Sequence, residues 1–142
     1  MSEENKKEPI LRVEDLKVHF NAGGGLFKKK KIVKAVDGVS FEIMEGETFG
    51  LVGESGCGKS TTGRAIVKIY NPTEGKIYYK GEDITSIKGD DLKEFRRNVQ
   101  MIFQDPYASL NPRMTVGEII REPMDIHNIY KTKEERENRV RR

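Results

Sequence analysis

Residues Gly53-Glu54-Ser55-Gly56-Cys57-Gly58-Lys59-Ser60 match the pattern G-x-x-x-x-G-K-[ST], and this octapeptide constrains the chain more than any other feature. Thr48–Val52, just before it, is a short, nearly continuous apolar run of the kind expected for a strand buried on both faces. Lys59–Tyr70, just after it, reads as a helix closed by Asn71-Pro72. Strand, glycine-rich turn and helix in that order predict an α/β fold with a phosphate-cradling loop. Glycines take backbone angles closed to other residues, so successive N–H groups can turn inward as an anion nest. The helix N-terminus adds about half a positive charge at the same point. Lys59 is expected to reach the β- and γ-phosphates of ATP, and Ser60 to offer its hydroxyl to Mg²⁺. Thr61 and Thr62 are further donors in the first turn. Cys57 occupies a free position of the loop and reads as a small spacer.

Upstream, Leu16, Val18 and Phe20 alternate with Lys17 and His19, and Val39, Phe41 and Ile43 alternate with Ser40 and Glu42. Both are half-buried strand patterns and predict a small antiparallel sheet. Residues 1–9 read as a disordered lead, and Asn21–Lys31, with three glycines and four lysines in succession, as an exposed loop. Downstream, Lys76–Tyr79 predicts a strand, Asp90–Arg97 a short helix, and Val99–Phe103 a second buried strand. Gln104–Met114 holds two prolines and reads as loop. Thr115-Val116-Gly117-Glu118 and Thr132-Lys133-Glu134-Glu135 are capping boxes that open two helices. Pro123 should kink or interrupt the first. Glu135–Arg139 and Glu137–Arg141 stand at helical spacing on the second, which is read as still helical where the sequence stops.

Charged residues make up 35% of the chain and apolar residues 35%, with a net charge of +3, as in a well-solvated domain. The basic clusters Lys28–Lys31, Arg96–Arg97 and Arg139–Arg142 read as solvated faces. One cysteine excludes an internal disulfide and fits a reducing compartment. No apolar run approaches the roughly 18 residues needed to span a bilayer, and Met1–Pro9 lacks the apolar core of a signal peptide. Any membrane role is therefore expected to come through a partner.

Lys34-Ala35-Val36-Asp37-Gly38-Val39-Ser40-Phe41, then Gly46-Glu47 and the phosphate motif, resembles the ATP-binding subunits of ABC transporters. Met101-Ile102-Phe103-Gln104-Asp105-Pro106 looks like that family's Q-loop. Tyr107-Ala108-Ser109-Leu110-Asn111-Pro112-Arg113-Met114 looks like the extended Q-loop of the oligopeptide/dipeptide importers, and Gly25-Leu26-Phe27-Lys28-Lys29 like their F-type subunit. The resemblance runs from about Leu11 to Arg142. It implies a P-loop NTPase core with an N-terminal antiparallel β part (about residues 10–47), a P-loop core (about 48–104), an extended Q-loop (104–114) and the start of a helical subdomain (115–142).

By the same resemblance, Phe20 stands where the family places an aromatic that stacks on adenine, with one more inward strand residue as the alternative. Gln104 stands where it places a glutamine that contacts Mg²⁺ and links the site to the membrane subunit. Glu54, Ser55 and Gly56 complete the nucleotide-binding set with Gly53, Cys57, Gly58, Lys59, Ser60 and Thr61. The implied partners are inner-membrane permease subunits, a second, D-type ATP-binding subunit and, indirectly, an extracytoplasmic peptide-binding protein, with no nucleic acid. The implied place is the cytoplasmic face of the membrane.

The family's signature motif, catalytic glutamate and switch histidine are not matched in these residues, and His19 and His127 stand at other positions. The chain is therefore expected to be a truncated cassette that binds nucleotide without hydrolysing it. The competing readings are the ATPase head of a nucleic-acid repair or motor protein and a non-catalytic remnant.

Overall fold

The computed structural model describes residues 8–22 and 31–141. Residues 1–7 of the expected lead over residues 1–9, and residues 23–30 of the expected loop over Asn21–Lys31, lie outside the described residues. The chain forms two compact units, Met1–Leu92 and Lys93–Arg142.

The first unit is built on a four-stranded antiparallel sheet. β1 (Leu11–Ala22) and β2 (Lys31–Ile43) form its long ribbon, and β3 (Glu74–Tyr79) and β4 (Glu82–Asp83) extend it in the order β2-β1-β3-β4. Asn21, Ala22 and Lys31, expected in a loop, belong to the strands. Val39, Phe41 and Ile43 alternate with more exposed neighbours, as expected of a half-buried strand. In β1 the buried positions are Leu11, Val13, Leu16 and Val18, so the two-residue period slips by one between Val13 and Leu16.

A β-bulge makes that slip. Asp15 takes a left-handed φ of 44°, and its N–H donates to Ser40 Oγ at 2.8 Å. The ladder shifts register there against both neighbouring strands. The extra residue rotates Leu16 and Val18 back onto the buried face. Gly75 accommodates it, since a Cβ at that position would stand 2.3 Å from the Asp15 carbonyl oxygen. Lys80 and Gly81, with φ of 49° and 82°, form the two-residue turn between β3 and β4.

α1 (Lys59–Ile66) touches β1 and β2 and buries Thr62 and Ala65. The core is completed by Val36, Ile77 and Ile84. Leu16, Ile77, Val13 and Val18 are almost wholly shielded, and each such side chain stabilises the fold by about 1.5–3 kcal/mol.

The expected helix over Lys59–Tyr70 ends earlier, at Ile66. Lys68 adopts a φ of 61° and Ile69 N–H bonds the Arg64 carbonyl at 2.8 Å, which closes the helix before Asn71-Pro72. That closing position usually carries Gly or Asn, so the sequence offered no stop signal there. Lys68 is buried, its ammonium donates to the Thr85 carbonyl, and burial pushes its pKa down.

The expected buried strand over Thr48–Val52 is not a strand. Phe49 stacks on Phe41 (centroids 4.9 Å apart, planes at 8°), while Val52 is 89% exposed. The expected strand over Val99–Phe103 is also absent, and Ile102 is 98% exposed. Apolar composition alone does not make a strand. A ladder partner is needed, and no described strand pairs with either run.

In the second unit, α3 (Pro106–Ser109) interrupts the expected loop. α4 (Val116–Ile126) and α5 (Lys133–Val140) pack as a hairpin. α2 (Gly89–Asn98) spans the division between the units, as expected from Asp90–Arg97. Both capping boxes form: Thr115 Oγ1 accepts from Glu118 N–H and Glu118 Oε2 accepts from Thr115 N–H, and Thr132 and Glu135 do the same. α4 runs three residues past Pro123 before Asn128, at φ 50°, closes it.

Arg136 ties the hairpin together, donating to Asp125 Oδ1 at 2.7 Å and to the Ile129 and Tyr130 carbonyls. Glu137 pairs with Lys133 (3.7 Å) and Arg121 (3.6 Å) rather than with Arg141. Glu135 is engaged by its capping box rather than by Arg139. The Lys133 pair keeps helical spacing in the other direction, and only the Arg121 contact is tertiary.

Candidate nucleotide site

Every helix of eight residues or more leaves N–H groups without intrahelical partners at its start. α4 and α5 satisfy theirs with a threonine and place glutamates in the first turn. α1 does neither: its N-cap is Gly58, no side chain caps it, and its first turn holds no acid. The start of α1 therefore carries neither a side-chain cap nor an acid.

The loop before α1 is tight and lies close to the sheet. Gly58 has φ 98°, and a Cβ there would stand 2.3 Å from the Ala35 carbonyl oxygen on β2. Only glycine allows the start of α1 to lie this close to the sheet. Gly56 also sits at positive φ, and Cys57 N–H bonds the Glu54 carbonyl at 3.3 Å to tighten the turn. Cys57 is an exposed free thiol whose Sγ lies over Gly53.

Lys59 arches back across this loop. Its ammonium donates to the carbonyls of Gly53 (2.7 Å) and Glu54 (2.6 Å) and to Cys57 Sγ (3.4 Å). Ser60 is exposed and Thr61 half-buried. Thr62 departs from the expectation of a further open donor: it is buried, and its hydroxyl donates to the Gly58 carbonyl at 3.1 Å. A hollow of about 310 Å³ opens beside the loop, lined by Lys34, Asp37, Leu51, Val52, Cys57 and Lys59 among others.

Phe20 lies outside that lining. It stands at the end of β1 opposite Val33, 37% exposed, with the edge of Tyr70 against it (centroids 5.2 Å apart, planes at 79°). Gln104 is exposed in the second unit, just before α3. Its neighbour Asp105 caps α3, accepting from Tyr107 N–H at 2.9 Å and, through its carbonyl, from the Ser109 hydroxyl at 2.7 Å.

The phosphate motif did not point to the β2 side of the hollow. Asp37 accepts from Lys34 Nζ (3.0 Å) and meets His19 Nε2 (3.1 Å), and these contacts, Lys34 first, hold its carboxyl below the usual range. The sequence signal was there in part: Asp37 and Gly38 sit in the segment that carried the family resemblance.

The profile of the ABC transporter family matches residues 36–142, which includes the loop, α1 and everything after them. The chain belongs to the ABC transporter family. Among curated members, it is 55% identical over 134 residues to the oligopeptide transport ATP-binding protein OppF of Bacillus subtilis, covering 94% of this chain and 42% of that protein. It is 53% identical over 133 residues to the oligopeptide transport ATP-binding protein AppF of the same organism, covering 92% and 40%. Its fold matches the solved ATP-binding cassette MJ0796 bound to ADP and Pi with a TM-score of 0.71 and 27% identity, covering 92% of this chain and 53% of that one. The chain thus spans about two fifths of these curated relatives and about half of the solved cassette. No described helix is long and apolar enough to cross a membrane.

Proposed function

We propose that this chain is the nucleotide-binding portion of the motor subunit of an oligopeptide or dipeptide ABC importer. The observation that carries the reading is the uncapped, acid-free start of α1 beneath Lys59, a donor set that fits polyphosphate. In this reading Gly53–Thr61 cradles the phosphates of ATP, and Lys59 leaves the loop carbonyls for the β- and γ-oxygens. Ser60 supplies a hydroxyl to Mg²⁺, an ion that commonly takes few protein ligands and completes its shell with phosphate oxygens and water. Phe20 stacks on adenine, and Gln104 is the family's Mg²⁺-sensing glutamine.

The 55% identity to an oligopeptide transport ATP-binding protein supports the peptide assignment. The partners are then permease subunits, a second ATP-binding subunit and, through them, a peptide-binding protein, with this chain on the cytoplasmic face of the membrane. Titration calorimetry with Mg-ATP tests the core of the proposal. The wild-type chain should bind, and Lys59→Ala should abolish the heat signal without changing the far-UV circular dichroism. Undiminished binding in Lys59→Ala would overturn the assignment.

A further inference from the structure

Beyond the closing turn of α1 the chain returns to β1. After Lys68, the N–H groups of Ile69 and Tyr70 both turn back to the Arg64 carbonyl, at 2.8 and 3.2 Å. The chain then runs along β1 where β3 stops, since β3 pairs with β1 no further than Lys17. Thr73 N–H donates to the Lys17 carbonyl at 2.7 Å, and Thr73 Oγ1 accepts from the backbone N–H of His19 at 2.9 Å. The half-buried Tyr70 is thereby delivered to Phe20, ring centroids 5.2 Å apart and planes at 79°.

The same stretch of the ribbon carries the start of α1. Val18 pairs with Val36 and His19 with Lys34, so Ala35 is left over as a bulge in β2. The N-cap Gly58 lies against the Ala35 carbonyl, and its missing Cβ would stand 3.5 Å from Val36 Cγ2. Val36 thus points to the Gly58 face of the sheet. Its register partner Val18 shares that face, and so does Phe20, two residues on. Val33, opposite Phe20, is two residues from Ala35, about 7 Å along the strand at ~3.3 Å per residue. Phe20 therefore stands within the span of one nucleotide of the first N–H groups of α1, on the same face. An edge-to-face pair uses at most one face of the Phe20 ring, and Phe20 stays partly exposed, so a face remains for a flat ligand.

We propose that Tyr70 is a positioning residue for the nucleotide base: its ring braces Phe20, so that Phe20 presents a free face to a purine whose phosphates lie at the start of α1. The inference rests on the reading of Gly53–Thr61 as a nucleotide site with Phe20 as its base platform. An unbraced phenylalanine near a strand end changes rotamer, and a ligand that stacks on it must first immobilise it. The contact with Tyr70 restricts that freedom before the ligand arrives. α1 then serves both ends of the ligand, the phosphates at its first turn and the base through its closing turn.

The experiment is calorimetry of Mg-ATP and of inorganic triphosphate with the 142-residue chain and the variants Tyr70→Leu and Tyr70→Phe. Tyr70→Leu should weaken Mg-ATP about two- to tenfold, the range that one edge-to-face ring contact conveys, and leave triphosphate unchanged. Tyr70→Phe keeps the ring and should hold the wild-type affinity. In a Phe20→Ala background, Tyr70→Leu should have no further effect. Equal losses for both ligands, no loss for either, or an Mg-ATP loss that Tyr70→Phe shares would overturn the inference. If Tyr70→Leu does not fold, fluorine NMR of the wild-type chain labelled with fluorotyrosine decides. The Tyr70 resonance, assigned with Tyr70→Phe, should shift with Mg-ATP and not with triphosphate, and a resonance that answers both alike or neither would overturn the role. Two further variants separate the levels. Retained Mg-ATP binding in Lys59→Ala sinks the nucleotide site, and no selective loss of Mg-ATP in Phe20→Ala sinks the base platform. A selective loss in Phe20→Ala without one in Tyr70→Leu sinks only the role of Tyr70.

Discussion

Single residues carry the chemistry of the cradle, and their surroundings say how they act. Lys59 is held by two carbonyls of its own loop, so the loop is drawn shut around the ammonium that a phosphate would claim. Phe20 has one side against the Tyr70 edge and remains 37% exposed. Phe20→Ala should weaken Mg-ATP binding by about 1–3 kcal/mol, the range known for base–aromatic stacking, and leave inorganic triphosphate binding unchanged. Competition calorimetry with the two ligands checks this, and equal losses for both would make Phe20 a core residue. Gly75 is tied to the bulge by its approach to the Asp15 carbonyl. Gly75→Ala should cost about 2 kcal/mol or more in a denaturant melt, because the clash is with backbone that cannot swing away.

The elements differ in how locally they are specified. The two capping boxes were legible from four residues each, because a threonine and a glutamate three positions apart bond one another's backbone wherever the rest of the chain goes. Both glutamates are held below their ordinary value of 4.5, chiefly by the N–H of Thr115 on Glu118 and of Thr132 on Glu135. Asp125 is likewise lowered, with the Arg136 hydrogen bond as the first cause. A depressed folded pKa means stabilisation that is present above the unfolded value and lost as pH falls through the folded one. The α4–α5 hairpin should therefore lose helicity progressively below about pH 4.5, visible in far-UV circular dichroism, and the double variant Glu118→Gln, Glu135→Gln should flatten that limb. The end of α1 was not legible in the same way. A lysine at the left-handed closing position carries no turn signal, and its burial against Thr85 depends on the far side of the unit.

At the scale of the whole molecule, binding and turnover separate. Ground-state binding of phosphates does not lower a barrier, and hydrolysis needs a group that orients water. Asp105 serves α3, and Glu54 lies in the cradle, where its carboxylate would repel phosphate. The chain alone should therefore release no phosphate from ATP above buffer rates in a coupled assay. Turnover at an ordinary enzymatic rate that vanished in Lys59→Ala would show that a catalytic carboxylate lies among these residues. The exposed Val52 and Ile102 belong to this scale too, since each lies in an apolar run that no described strand covers.

The sequence by itself determined the glycine-rich turn, the start of α1 and both capping boxes, because each rests on interactions within a few residues. It also carried the family, through motifs around the loop. Tertiary structure alone decided four things: that two apolar runs form no strand, that Asp15 bulges to keep β1 in phase, that α1 stops at Ile66, and that His19 meets Asp37 across the β1–β2 ribbon. Each of these depends on a partner far away in the chain. Local spacing specifies a cap or a turn, but a ladder, a register or a charge pair exists only when a distant segment arrives to complete it.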